Sequence, residues 1–149
     1  MKILVLNGPN LNMLEKRNIK HYGALTLAEI NNLLADEAKR QGVSLTFFQS
    51  NHEGKLVDAI QEQRGKIDGI LINAGALTHY GYSLRDALVD SGVPVVEVHL
   101  SNITKREKFR KIDVLDGVVI DRIIGLKEKS YIVGLEKLIN YIKQLNARR

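Results

Sequence analysis

Three short runs, KILVL (2–6), DGILIN (68–73) and VPVVEVHL (93–100), are apolar at nearly every position rather than at every second one. A strand with one face in water alternates; a strand apolar throughout has to be covered on both faces. That condition is met by a parallel sheet between two layers of helices, and the intervening stretches supply the helices. Leu25 to Gly42 is punctuated as one: Thr26 and Glu29 form a capping box, Leu25 and Ile30 a staple, and Gly42 the stop. Further helices are expected at 53–66, 82–92 and 130–147, with a short basic one, TKREKFRK, at 104–111. VSLTFF (43–48) and RIIGL (122–126) complete a set of five strands, and DGVVID (116–121) either extends the last strand or forms an ordered loop. The repeated β-α order predicts an α/β fold: a flavodoxin-like three-layer sandwich with a five-stranded parallel sheet of order 2-1-3-4-5, joined by right-handed crossovers. With no internal repeat or linker, residues 1–149 read as a single domain.

Several function classes are disfavoured at this point. No apolar run approaches the roughly 18–20 residues of a membrane span, and MKILVLNG leads into asparagine rather than a small-residue cleavage site. The absence of cysteine removes disulfides, thiolate metal sites and thiol nucleophiles, and is compatible with a cytoplasmic location. The net charge of +5 favours anions of any kind, but the lack of tryptophan weakens a base-stacking role in nucleic-acid binding.

In such sheets ligands bind beyond the C-terminal ends of the strands, so the loops after residues 6, 73 and 100 are the places to look. The first loop, NGPNLNMLEKRNIKHYG (7–23), carries Asn7, Asn10, Asn12, Arg17 and Tyr22. The second, NAGALTHYGYS, carries Asn73, Thr78 and His79. The fourth strand ends in EVHLSN, where Glu97 and His99 project to the same face, followed by Ser101 and Asn102 and then by Arg106 and Arg110 at helical i, i+4 spacing. Each feature alone has an ordinary explanation: asparagines make turns, a basic helix is usually a solvated face, and a Glu-x-His pair is usually a structural contact. Their convergence on one sheet edge points instead to a pocket.

The groups available are a phenol, a carboxylate-assisted imidazole, amides and guanidiniums. His79 and His99 have no obvious third ligand, and CxxC, HExxH, GxGxxG and G-x-S-x-G patterns are absent, so neither a metal nor a cofactor is indicated. Proton abstraction beside a carbonyl, with a histidine protonating a departing oxygen, uses these groups directly. A phenol with a reference pKa of about 10 serves as a base only beside a cation. A guanidinium about 4 Å away stabilises a phenolate by about 4 kcal/mol at an effective dielectric near 20. Arg17 is the nearest such cation to Tyr22 in the sequence.

NGPNLN, the R-x4-YG end of the first loop, QSNHEG (49–54), INAGALTH (72–79) with LRDAL (84–88), and EVHLSNI followed by REKFR together resemble type II 3-dehydroquinate dehydratase over nearly the whole chain, including IIGL and Tyr131. The resemblance implies a cofactor-free and metal-free anti elimination of water from 3-dehydroquinate, giving 3-dehydroshikimate through an enolate, in the shikimate pathway of aromatic amino acid biosynthesis. It implies Tyr22 as the base, Arg17 on a lid at about 12–23 as its electrostatic partner, and Asn10 as holder of the water that stabilises the enolate. It further implies His99, oriented by Glu97, as the acid. Asn73, His79, Leu100, Ser101 and Arg110 would bind substrate, and Arg106 would support charge near Tyr22. A homo-oligomer, a dodecamer of four trimers, is also implied, with Asp86 reaching into a neighbour's site.

Four positions depart from the family pattern. Glu15 replaces a lid glycine, Ile19 a lid proline, Thr104 a common histidine and Asp113 a common serine. Glu15 is expected to weaken Arg17, and Asp113 to repel an anionic substrate if it faces the pocket. Two other classes fit parts of the sequence: a nucleotide-binding flavodoxin-like module, which would want a hydroxyl-rich loop in place of NGPNLN, and a basic nucleic-acid binder resting on KREKFRK, which would show steeply salt-dependent binding.

Overall fold

A computed structural model describes residues 1–149. Five strands, β1 (Lys2–Asn7), β2 (Ser44–Gln49), β3 (Gly69–Asn73), β4 (Val95–His99) and β5 (Asp121–Ile124), form one parallel sheet of order β2-β1-β3-β4-β5. The helices are α1 (Ile19–Tyr22), α2 (Leu27–Gln41), α3 (Glu53–Glu62), α4 (Tyr82–Ser91) and α5 (Lys129–Ala147). The order expected from the sequence is the order found.

The continuous apolar strands are buried on both sides. From β1, Ile3 and Val5 join one core with Ile30, Leu34 and Ala38 of α2 and with Leu135, Leu138 and Ile139 of α5. Leu4 and Leu6 join the other, with Leu56 and Ile60 of α3 and Leu84 and Leu88 of α4. The period-two strand geometry thus divides one apolar run between two cores. The Thr26–Glu29 capping box forms in both directions, and Gly42 adopts the left-handed conformation (φ 67°) that closes α2.

Two elements differ from expectation. Helix α3 stops at Glu62 rather than reaching residue 66, because Gly65 turns left-handed (φ 74°) and the residues after Ile60 offer no further apolar contact to the sheet. The stretch 104–111 is two 3-10 turns, Ile103–Lys105 and Lys108–Lys111, with Arg106 and Glu107 extended between them. Arg106 and Arg110 therefore do not share a helix face; each reaches the pocket from its own turn. Asp121 begins β5, and residues 116–120 precede it as turn and loop.

Candidate active site

The ends of β1, β3 and β4 surround a pocket of about 120 Å3, sized for one small ring. Asn10, Arg17, Tyr22, Asn73, His79, His99, Leu100, Ser101, Arg106 and Arg110 all line it. The floor is close backbone packing. A Cβ at Gly8 would lie 2.4 Å from the Ala74 carbonyl oxygen, so only glycine lets the β1 and β3 loops meet there. Asn10 is left-handed (φ 69°), and its N–H donates to Asn51 Oδ1 at 3.0 Å. Asn73 is fixed at both ends: Nδ2 donates to the Tyr131 hydroxyl at 2.9 Å, and Oδ1 accepts from Gly75 N at 3.1 Å. Tyr131 in turn donates to Asn7 Oδ1 at 2.6 Å in the fully buried interior, where burial pushes its phenol above the usual range.

The first loop folds as a 3-10 segment, Leu11–Lys16, followed by the single turn α1. Leu11 and Leu14 anchor it in the core. Ile19 is the first residue of α1, a position for which proline is preorganised; Asn18 caps the turn by accepting from Lys20 N at 2.9 Å. Glu15 is exposed and makes no ion pair with Arg17, so the expected weakening has no contact to act through. Arg17 Nη2 donates to the Tyr22 hydroxyl at 2.6 Å, with its guanidinium carbon 3.8 Å from the ring centroid. Arg106 Nη1 donates to the same oxygen at 2.7 Å and to Ser101 Oγ at 3.3 Å. Two guanidiniums thus donate to one phenol oxygen, a charge-assisted arrangement suited to stabilise negative charge developing on it.

Across the pocket, His99 Nε2 lies 2.6 Å from Glu97 Oε1, leaving Nδ1 as the nitrogen without a protein partner. Glu97 does not line the pocket; it is wholly buried behind His99, where Thr78 Oγ1 donates to Oε1 at 2.7 Å and Arg122 Nε to Oε2 at 3.1 Å. Burial opposes the Glu97 charge, but the His99 hydrogen bond and charge, with Thr78, outweigh it and hold the carboxyl well below the usual range. His79 Nδ1 meets the Ile112 carbonyl at 2.6 Å, and its ring sits edge-on to Phe109. Burial, then the nearby His99 and Arg110 charges, lower its pKa, so it presents a neutral acceptor nitrogen. Arg110 pairs with Glu107 at the pocket rim.

Thr104 caps the 103–105 turn through Asn102 rather than entering the site. Asp113 does not face the pocket: it pairs with Arg122 and accepts from Leu115 N at 2.8 Å, so the expected repulsion of a ligand has no basis in its position. Asp86 is exposed on α4, outside the pocket. Sequence reading missed Asn51, which the QSNHEG motif had signalled without a role, and Arg122, hidden inside an apolar strand. No three His, Asp or Glu side chains converge as metal ligands.

The family model described as dehydroquinase class II matches residues 1–139. A 3-dehydroquinate dehydratase of Carboxydothermus hydrogenoformans is 53% identical over 144 residues, spanning 97% of this chain and 94% of its own. One from a Nostoc species is 53% identical over 143 residues, spanning 96% and 97%. The crystal structure of type II dehydroquinase from Butyrivibrio crossotus superposes with a TM-score of 0.90 at 43% identity, covering 93% of this chain and 97% of that one. A likeness of sequence and fold over nearly the full length, on both sides, places this chain in the class II dehydroquinase family.

Proposed function

We propose that this chain dehydrates 3-dehydroquinate to 3-dehydroshikimate by anti elimination through an enolate. The observation that carries the reading is a phenol oxygen held by two guanidiniums, facing a histidine backed by a buried carboxylate, in one small pocket. The Tyr22 phenolate takes the proton beside the ketone, and the C–H electrons form the enolate. Asn10 holds the water that hydrogen-bonds the enolate oxygen. As the ketone re-forms, the C–O bond breaks, and His99 gives a proton to the departing hydroxyl, which leaves as water. Solvent then returns Tyr22 and His99 to their starting states. Asn73, His79, Ser101, the Leu100–Ser101 backbone and Arg110 bind the hydroxyls and carboxylate. The loop at about 12–23, carrying Arg17 and Tyr22, acts as the lid.

Adding 3-dehydroquinate with a chelator present and following the ultraviolet absorbance of the conjugated product tests this. Tyr22→Phe and His99→Ala are expected to retain the fold and nearly abolish turnover; no turnover by folded wild-type protein rejects the reading. The enzyme works as a homo-oligomer, a dodecamer of four trimers in the cytoplasm, with no nucleic-acid or membrane partner. No helix is long and apolar enough to cross a membrane. Asp86 shares an exposed α4 face with Tyr82 and Val89, so a part in substrate binding requires a second copy to present it. Sedimentation that finds a fully active monomer would reject that assembly.

A further inference from the structure

Behind His99, away from the pocket, three ionisable side chains meet. The register of β4 and β5 sets Glu97 beside Arg122. Arg122 then bridges two carboxyl groups: Nε reaches Glu97 Oε2 at 3.1 Å, and Nη2 pairs with Asp113. The Glu97 and Asp113 carboxyls are thus joined through one guanidinium, and Asp113 Oδ2 is buried with no hydrogen-bond partner of its own. Glu97 is fully buried, and the Asp113 side chain is 7% exposed. Two ionised carboxylates on one guanidinium and out of water repel, and that single positive charge does not cancel both. Glu97 already accepts from Thr78 and Arg122 and lies against His99, which fixes it as the ionised member. Asp113, with a single hydrogen bond from Leu115 N and a share of Arg122, is the member less able to stay ionised.

Resting on the dehydration proposed above, we infer that Arg122 and Asp113 are positioning residues: Arg122 clamps the carboxyl pair, and gain or loss of the Asp113 proton sets how much negative charge stands behind His99. Burial, then the Glu97 charge, push the Asp113 carboxyl up to about 7, which puts this change in the neutral range. The groups facing the pair are known from every side. Strand β4 gives Glu97 and His99, and β5 gives Arg122. The turn 75–79 gives Thr78 and His79, with Arg110 acting on His79 from the 108–111 turn. The segment after Ile112 gives Asp113 and Asp116, the latter 3.8 Å from Arg122 Nη2 but 84% exposed and hence solvated. When Asp113 ionises, a second negative charge joins Glu97 behind His99.

Two measurements decide this. In unliganded protein, infrared difference spectra between pH 5 and pH 9 should show a carboxylic-acid carbonyl band lost near neutral pH, and Asp113→Asn should lack it. A wild type without that band, or an unchanged band in Asp113→Asn, overturns the inference whether or not 3-dehydroquinate is turned over. Failure of wild-type turnover with the band present would reject the reaction alone. In the kcat profile, Asp113→Asn should move the alkaline limb to lower pH by about half a unit, less than the one to three units of a directly apposed charge because Glu97 intervenes. Arg122→Gln should lower kcat about tenfold with KM changed much less, the scale of one lost charge-assisted hydrogen bond, and Arg122→Lys should recover part of it. An unmoved alkaline limb in Asp113→Asn overturns the inference; if Arg122→Gln does not fold, the Asp113→Asn and Arg122→Lys profiles decide.

Discussion

Removing Arg106 tests the electrostatic core of the proposed reaction. Its Nη1 and Arg17 Nη2 both donate to the Tyr22 oxygen, at 2.7 and 2.6 Å, so each contributes a full positive charge at contact distance. Arg106→Met keeps the stem and deletes the charge. At a charge separation of about 4 Å and an effective dielectric near 20, one guanidinium stabilises a phenolate by about 4 kcal/mol. The Arg106 side chain is only 12% exposed, yet Tyr22 is half-buried at a lid and Arg17 remains in place. Halving the figure for that screening leaves ~2 kcal/mol, which at 1.36 kcal/mol per tenfold is about 30-fold in rate.

The assay is kcat against pH at saturating 3-dehydroquinate, backed by single-turnover measurements to separate chemistry from product release. Arg106→Met is expected to lose about 30-fold at pH 7 and to regain much of it as pH rises. Arg17→Met should behave alike. The double variant should depart from the product of the two losses by at least about 0.5 kcal/mol, because both groups act on one oxygen; additive losses would show that they act separately. A loss below threefold at pH 7 would refute the reasoning. So would a loss equal at every pH, since Arg106 would then act only in binding.

Three further outcomes concern the frame of the site. Tyr131→Phe strands Asn7 Oδ1 and loosens Asn73, both buried, so stability should fall by about 1–3 kcal/mol in denaturant titration and KM should rise; an unchanged midpoint would contradict the network. Gly134→Ala places a methyl 2.4 Å from Val98 Cγ1 and 3.0 Å from Leu71 Cδ1, pushing α5 off β3 and β4, and should cost about 1–3 kcal/mol; a wild-type melting temperature would show that the helix shifts freely. The Asp113 carboxyl is raised in the folded state, so its contribution to stability is complete below the unfolded value near 3.8 and is lost as pH rises through about 7. Asp113→Asn should therefore gain stability over wild type progressively between those pH values, by a few kcal/mol at pH 8; a difference independent of pH would refute the assignment.

How far the molecule could be read from its sequence follows from the range of the signals. Thr26, Glu29, Gly42 and Gly92 act within one helical turn of themselves, and α2 and α4 end where those residues dictate. The apolar strands carry a longer-range message, since burial on both faces leaves few architectures, and sheet order followed. The segment 104–111 misled because its helix-forming residues do have the right spacing. Extended backbone at Arg106 and Glu107 instead lets Arg106 reach Tyr22, while the second turn sets Phe109 against His79; these are tertiary contacts with no local trace.

The same argument explains why the residues behind His99 stayed hidden. Glu97 and His99 could be paired from their i, i+2 spacing alone, but Arg122 meets Glu97 only through the β4–β5 register, 25 residues away in the chain. Asp113 reaches them from a loop with no periodicity to place it. A charged residue opening the apolar run RIIGL was the one available sign, because an arginine in a strand beside the central sheet needs a carboxylate partner. The pocket-lining face of the site is thus written in motifs contiguous in sequence, and its electrostatic backing in contacts that exist only once the sheet has formed. Substitutions at Asp113 and Arg122 should accordingly alter the pH response of the enzyme while leaving every pocket-lining side chain in place.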